Sequence, residues 1–167
     1  VYSLSEGLNA DSEWMGRFND GVFDAVTFDS QIYAVPMGQA IVPVYYNTQM
    51  FKDNNVEVPT TWEEFMNAVK TFKDAGVVPV SMACQDAWVP GQLLLELSGG
   101  AAGKELFDDI VTGKTTWDDP RYVETGELLQ EMVTAGAFPE SFLGLAYDEG
   151  RSLFTSQKAA MYPMGTW

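Results

Sequence analysis

The sequence predicts an α/β fold, in which short strands alternate with amphipathic helices. Residues 32–35 and 41–46 are rich in β-branched and aromatic side chains, and they predict two strands joined by an irregular turn. Residues 62–75 place apolar side chains at helical spacing. Neither strand alternates between apolar and polar residues, so we expect both faces of each strand to be covered.

Composition and charge exclude several classes of protein. The 167 residues are 46% apolar and 13% aromatic, which is enough for a packed core and too apolar for a disordered chain. The formal net charge is −15, from 24 acidic and 9 basic residues. This charge repels nucleic-acid phosphates and anionic lipid headgroups, so we expect no nucleic-acid partner and no direct binding to a membrane surface.

The chain has no histidine and one cysteine, Cys84. Without histidine, Ser-His-Asp and Cys-His catalysis and nearly every zinc site are excluded. Cys84 is predicted to be a small buried apolar residue, and it cannot form an internal disulfide. The acidic pairs Asp108-Asp109 and Asp118-Asp119 lack the alternating ligands of a calcium loop, so we expect solvated acids, no metal and no cofactor.

Start and stop signals place the elements of the first half of the chain. Asp11 begins a short helix that carries Trp14 and Phe18 four residues apart. Asn47 follows the second strand, where it either caps a short helix ending at Phe51 or contacts a ligand.

The helix at 62–75 has the clearest boundaries. Thr61 is its predicted N-cap, Glu64 completes a capping box, and Gly76 supplies the turn after it. The strand at 77–82 follows, and Pro79 places that strand at a sheet edge or a bulge. The predicted inward side chains of the helix are Trp62, Phe65, Met66, Val69 and Phe72.

The second half of the chain predicts one loop, three helices and a strand. The loop at 87–90 precedes a short helix that Gly99 and Gly100 end. Asp119 caps the next helix, which has proline in its first turn, and Gly136 ends it. The last two helices and the strand lie at 121–135, 147–156 and 159–164. The inward residues of the longer helix are Tyr122, Leu129, Met132 and Val133.

Four groups of residues resemble the middle of one protein family. They are Tyr33-Ala34-Val35-Pro36, Tyr45-Tyr46-Asn47 with Phe51, the PTTWEEF stretch at 59–65, and Lys158-Ala159-Ala160-Met161 with Gly165-Thr166-Trp167. Together they resemble a bacterial extracellular solute-binding protein of ABC importers, in its sugar-binding branch (family 1). Two positions depart from the family pattern, because Ser30 and Gln157 stand where it usually has glycine.

The resemblance implies a periplasmic-binding-protein-like (type II) lobe, with three layers of helix, sheet and helix and hinge-crossing strands. Residues 1–46 would adjoin the first lobe and cross the hinge, and residues 47–167 would form the second lobe and end at the return hinge strand. The chain opens without methionine and stops within a motif, so we expect a piece of a longer protein.

The resemblance also implies a function without chemistry. The protein would bind a carbohydrate, close two lobes around it, and deliver it to the membrane permease of an ABC importer. We expect a monomer located outside the cell or in the periplasm, with lipid anchoring of the full-length protein as one alternative.

Aromatic and polar residues near predicted strand ends form the candidate site. Sugars present apolar C–H faces that stack on aromatic rings, and hydroxyl rims that bind amides and carboxylates. Tyr45 and Tyr46 alternate along a strand, so at least one is expected in the core, and Trp62 is expected there through its helical stripe. The predicted ligand-binding residues are Gln39, Tyr45, Asn47, Gln85, Asp86, Trp88 and Trp167.

Two other functions stay open on the sequence. A carbohydrate-active hydrolase would need two carboxylates about 5–10 Å apart across one bond, and sequence spacing does not exclude such a pair. An interaction domain without a small ligand is the third alternative. We predict no catalytic residue, since no carboxylate has an unusual local context.

Overall fold

The computed structural model describes residues 1–167, and the chain forms two compact units. Residues Val1–Ile41 together with Trp167 make the first unit, and Val42–Thr166 make the second. Both units combine helices with small sheets, so the predicted α/β class is confirmed. None of the helices has both the length and the apolar character that a membrane span requires.

The first unit contains two short helices and one small hairpin. Its elements are α1 (Ser5–Asn9), α2 (Ser12–Met15), a 3-10 helix (Asp24–Val26), β1 (Thr27–Phe28) and β2 (Gln31–Ile32). Asp11 caps α2 by accepting a hydrogen bond from the Trp14 N–H at 2.9 Å. The Trp14 and Phe18 rings meet edge to face at 4.6 Å. The predicted helix start is therefore confirmed, but α2 ends at Met15, so Phe18 lies beyond the helix that was predicted to carry it.

The hairpin of the first unit corrects the predicted strand at 32–35. Only Gln31–Ile32 pairs, antiparallel with Thr27–Phe28, and residues 33–43 have no regular secondary structure. Asp29 and Ser30 turn the chain with φ values of 48° and 61°. These two residues supply the left-handed conformation that a two-residue hairpin turn requires, although neither is glycine.

The second unit is built on a mixed sheet of three strands in the order β3-β5-β4. The central strand β5 (Ala159–Pro163) is buried at every position. It pairs antiparallel with β3 (Val44–Tyr46) and parallel with β4 (Val78–Val80). Pro79 therefore lies in an edge strand, as its missing N–H predicts.

Five helices surround this sheet. They are α3 (Thr48–Asp53), α4 (Trp62–Asp74), α5 (Trp88–Val111), α6 (Pro120–Ala135) and α7 (Tyr147–Thr155), and a 3-10 helix (Phe142–Gly144) precedes α7. The core between helices and sheet is apolar, and its fully buried residues include Val69, Phe72, Val80, Met132 and Met161. Trp62, Phe65 and Met66 pack against this core, so the predicted stripe of α4 is confirmed.

The predicted helix caps are also confirmed. Thr61 and Glu64 form a reciprocal capping box at the start of α4. Glu64 accepts hydrogen bonds from the backbone and side chain of Thr60, and these bonds hold the pKa of its carboxyl below the usual value. Asp119 caps α6, and Gly136 ends it with a φ of 73°.

One predicted helix end and one predicted inward residue of the second unit are wrong. Gly99 and Gly100 do not end a helix, because α5 continues through them to a break at Gly103, where φ is 75° and ψ is 175°. Packing against α6 and the buried Leu106 extend the helix beyond the glycine pair. Val133, predicted to point inward on α6, is exposed.

The third correction concerns β3, whose two faces were expected to be covered. Val44, Tyr45 and Tyr46 are 49%, 38% and 40% exposed. The strand lies at the sheet edge opposite β4 and pairs only with β5, so it lacks a neighbour on its outer side. Neither tyrosine is buried, and the expectation that at least one belongs to the core is also wrong.

Candidate ligand-binding site

The candidate site is built on the segment that follows strand β4. Residues 84–86 are hydrogen-bonded to the chain around the 3-10 helix and the start of α7. The backbone N–H groups of Cys84 and Gln85 donate to the carbonyls of Phe142 at 2.8 Å and Leu145 at 3.0 Å. These bonds attach the loop to a second segment more than fifty residues away in sequence.

The carboxylate of Asp86 makes a third link between the same segments. Its Oδ2 accepts a hydrogen bond from the backbone N–H of Tyr147, the first residue of α7, at 2.8 Å. One carboxylate oxygen is thereby used inside the protein, and the other remains available for a second partner. Asp86 and Gln85 follow a strand that is parallel to β5, the position where α/β sheets place ligand-binding groups.

Helix α7 lies unusually close to the end of β4. The buried Ser81 hydroxyl donates to the Gly150 carbonyl at 2.5 Å. A Cβ atom at Gly150 would lie 2.8 Å from the Cβ of Ala83, which is closer than real side chains approach. Glycine at this position therefore allows the helix to seat against the strand.

Trp88 is the first residue of helix α5, so its predicted place in a loop before that helix is wrong. The indole is 46% exposed, and its ring centroid lies 5.1 Å from that of Tyr147. The structure thus brings three of the predicted residues, Gln85, Asp86 and Trp88, together beside one unpredicted residue, Tyr147.

Tyr45 and Asn47 lie on and beside strand β3. Tyr45 pairs across the sheet with Tyr162, and its ring lies 6.4 Å from that of Phe154. The Asn47 side-chain oxygen accepts hydrogen bonds from the backbone N–H groups of Gln49 at 3.1 Å and Met50 at 3.0 Å, in the first turn of α3. The helix-cap interpretation of Asn47 is confirmed, and ligand contact by either residue stays a prediction.

Gln39 and Trp167 belong to the first compact unit. The Gln39 side-chain oxygen accepts a hydrogen bond from the Asn19 amide at 3.5 Å. Trp167 is 61% exposed. Their contact with a ligand stays a prediction.

Sequence reasoning missed Tyr147 as a site residue. It assigned the residue only to the start of a helix, and the one available signal was an aromatic side chain three residues before a glycine. The ring also lies under the Arg151 guanidinium, at 6.0 Å from the centroid. Its other neighbour is Tyr162, whose pKa is raised mainly by burial and secondarily by Tyr147.

The second unit also contains a cavity of about 730 Å³ beside the sheet. Val44, Tyr46 and Met161 line it, whereas the alternate residues Tyr45 and Tyr162 point away from it. None of the seven predicted residues lines this cavity. Its wall is mainly apolar, with Thr60, Thr61 and Glu96 among its few polar residues.

Neither Cys84 nor the acidic residues before α6 have the surroundings of a catalytic group. Burial raises the pKa of the Cys84 thiol, which keeps the thiol protonated and unreactive near neutral pH. Two of the four residues expected to be solvated acids pair with a basic side chain: Asp109 and Asp119 both contact Arg121, at 3.4 and 2.9 Å.

Comparison with known proteins identifies the family. The profile described as "Bacterial extracellular solute-binding protein" matches residues 2–167. The chain belongs to this family. As a member of the bacterial extracellular solute-binding proteins, it is similar to the "Multiple sugar-binding protein" of Streptococcus mutans, with 30% identity over 83% of this chain and 34% of the relative.

Two solved structures match the whole chain closely. One, from Caldanaerobius polysaccharolyticus and described in work on xylan utilization, is 37% identical with a TM-score of 0.89, over 99% of this chain and 42% of its own. The other, a "Chitin oligosaccharide binding protein", is 30% identical with a TM-score of 0.89, over 100% of this chain and 42% of its own. The chain therefore spans about two fifths of these structures and about a third of the curated relative.

Proposed function

We propose that the protein containing this chain binds an oligosaccharide outside the cell and delivers it to an ABC importer. The observation that carries the proposal is the half-exposed indole of Trp88, placed beside Gln85 and Asp86 at the carboxyl end of β4. An aromatic plane next to an amide and a carboxylate matches the two kinds of surface that a sugar presents. The named sugar ligands of the family members above support the ligand class.

The lobe arrangement is part of the same proposal. Residues 1–46 would adjoin the first lobe and include the hinge crossing, and residues 47–167 would belong to a three-layer second lobe of type II. The ligand would lie between two lobes that close by hinge bending. In that arrangement Trp88 forms part of one wall, and the remaining wall comes from sequence that this chain does not include.

The proposed partners are a carbohydrate and the membrane permease of an importer, and the proposed location is extracellular or periplasmic. A lipid anchor on the full-length protein fits that location. The net charge of −15 repels anionic lipid headgroups, so we expect the chain to bind a membrane only through such an anchor. We propose that the protein acts as a monomer.

We propose that no chemistry accompanies binding. The carboxylate of Asp86 accepts a hydrogen bond from the backbone N–H of Tyr147, which fixes its orientation. A hydrolase would need a second carboxyl group on the other side of the bond, held protonated for acid catalysis. Neither Gln85 nor Trp88 can supply that group.

A binding panel tests the proposed function. The full-length protein would be titrated calorimetrically with xylotriose, triacetylchitotriose and raffinose, and each mixture would then be analysed for cleaved sugar. We expect saturable binding of at least one oligosaccharide and no cleavage. Absence of binding to every sugar, or release of shorter sugars that a single Asp or Glu substitution abolishes, would contradict the proposal.

A matched pair of variants locates the site within the chain. Trp88→Ala should weaken binding by about tenfold, since a stacked aromatic contact contributes on the order of 1 kcal/mol or more. Trp117 is also about half exposed and contacts a tyrosine, but it lies before α6. Trp117→Ala should therefore leave the affinity unchanged. Equal effects of the two variants would contradict the assignment of the site to Trp88.

A further inference from the structure

The Tyr147 ring contacts the Trp88 indole. The two ring centroids lie 5.1 Å apart with the planes tilted by 49°. We propose that Tyr147 is a positioning residue of the carbohydrate site, which holds the Trp88 indole in the orientation needed for stacking on a sugar. This inference rests on the proposed function and adds to it a residue that acts through Trp88.

The backbone of Tyr147 is fixed to the same loop that leads into Trp88. Its N–H donates to Asp86 at 2.8 Å, and the Leu145 carbonyl two residues earlier accepts from the Gln85 N–H at 3.0 Å. Hydrogen bonds on both sides of Ala146 thus set the distance between the two segments. The contact between the Tyr147 and Trp88 rings follows from this pairing.

A buried hydrogen bond also fixes the first turn of α7 to the segment that follows β4. The Ser81 hydroxyl, buried within the protein, donates to the Gly150 carbonyl at 2.5 Å. Gly150 also approaches Ala83 closely, so α7 packs tightly against the segment that follows β4. Tyr147 therefore projects from a helix end that contacts the segment after β4 at two residues, Ser81 and Ala83.

The Tyr147 ring also has a cationic neighbour. The Arg151 guanidinium lies 6.0 Å from the ring centroid, and Arg151 is paired with Asp148 at 3.1 Å. A cation in this position is attracted to the ring face and favours one orientation of the ring. Tyr147 is consequently a rigid support for Trp88.

Rigidity of Trp88 has a direct effect on affinity. A side chain that must be ordered on binding costs roughly a 2- to 12-fold loss in affinity, whereas one already held in place does not incur this loss. Because Trp88 is only half buried, its other contacts leave part of the indole open to solvent. Removing the Tyr147 ring should loosen the indole without removing it.

The first test needs no ligand. In full-length protein labelled with fluorotryptophan, Trp88→Phe assigns the Trp88 signal in the fluorine NMR spectrum. Tyr147→Ala should shift and broaden that signal, and Tyr147→Phe, which keeps the ring, should leave it in place. Tyr122→Ala is the matched control, because Tyr122 contacts Trp117 at a centroid distance of 5.0 Å, and it should move only the Trp117 signal.

The second test measures affinity by calorimetry, with whichever of xylotriose, triacetylchitotriose and raffinose the parent protein binds most tightly. Tyr147→Ala should weaken binding about 3- to 10-fold, while Tyr147→Phe and Tyr122→Ala stay within about twofold of the parent. In a Trp88→Ala background, Tyr147→Ala should cause no further loss, because the support then has nothing to hold.

The outcomes separate this inference from the proposed function. Additive losses in the double variant, or an equal loss with Tyr147→Phe, would overturn the inference, since Tyr147 would then contact the sugar itself. An unmoved Trp88 signal in Tyr147→Ala would also overturn it. Parent protein that binds none of the three sugars but shows the expected NMR changes would overturn the proposed function and not the ring contact.

Discussion

The tryptophans of this chain have the same chemistry but different surroundings. Trp62 stacks on Phe65 at 5.4 Å, and its indole N–H donates to Glu131 at 2.8 Å, so the ring ties α4 to α6. Trp88 and Trp167 are about half exposed or more. At this scale, burial and hydrogen bonding distinguish a structural aromatic residue from a candidate ligand contact.

Substitution of these residues should separate stability from binding. We expect Trp62→Ala to lower the free energy of unfolding by about 2–3 kcal/mol, less than the loss at a fully buried aromatic residue, with sugar affinity kept in the folded protein. Trp88→Ala and Trp167→Ala should instead lower affinity and leave the melting temperature almost unchanged. Thermal melts and titrations measure both. The reverse pattern would place Trp88 and Trp167 in the core.

Glu96 is a carboxylate in an apolar setting, since it lines the cavity beside α4 and α5. Burial raises the pKa of its carboxyl above the ordinary 4.5, although a hydrogen bond from Gln92 at 3.0 Å opposes this change. The folded state therefore holds its proton more tightly than the unfolded state. The resulting stabilisation is present at low pH and is lost as pH rises through the folded pKa.

Glu96→Gln should accordingly raise the melting temperature at about pH 7 and have little effect at about pH 3, where the native carboxyl is protonated as well. The amide keeps an oxygen for the Gln92 hydrogen bond. Glu124→Gln, at an exposed position of α6, is the control and should show no gain at neutral pH. A gain for Glu96→Gln that is the same at both pH values would contradict a titration effect.

At the scale of elements, local signals predicted helix starts and ends well. The capping box at Thr61, the proline and aspartate at the start of α6, and the glycine after it all act within a few residues. The break in α5 was misplaced because Gly99 and Gly100 are individually poor helix formers, whereas packing on α6 decides the outcome. Long-range contacts also explain why Tyr147 was missed as a neighbour of Trp88.

The close packing of α7 against the segment that follows β4 gives a prediction at the scale of elements. Gly150→Ala should lower the free energy of unfolding by about 1–3 kcal/mol, because the added methyl group overpacks against Ala83. Gly126→Ala, in the middle of α6 with open space around it, should raise the free energy of unfolding by about 0.5–1 kcal/mol. Denaturant unfolding of both variants checks the contrast. Stabilisation by both would mean that α7 does not sit so close to the strand.

At the scale of the whole molecule, we propose that this chain is one part of a two-lobe binding protein. The second unit supplies a fixed loop with Gln85 and Asp86, followed by Trp88 at the start of α5. The chain spans about two fifths of the two solved structures that it matches. A sugar held by one wall alone keeps much of its surface in water and leaves outer hydroxyl groups unmatched. Affinity should therefore depend strongly on the rest of the protein.

Calorimetric titration of one oligosaccharide into this chain alone and into the full-length protein tests that claim most directly. We predict saturable binding to the full-length protein, with the sugar recovered intact, and binding to the isolated chain that is at least about a hundredfold weaker, because the second wall is lost. Circular dichroism would establish that the isolated chain is folded. Equal affinities of the two folded proteins would contradict the two-lobe account, because the binding site would then be complete within residues 1–167.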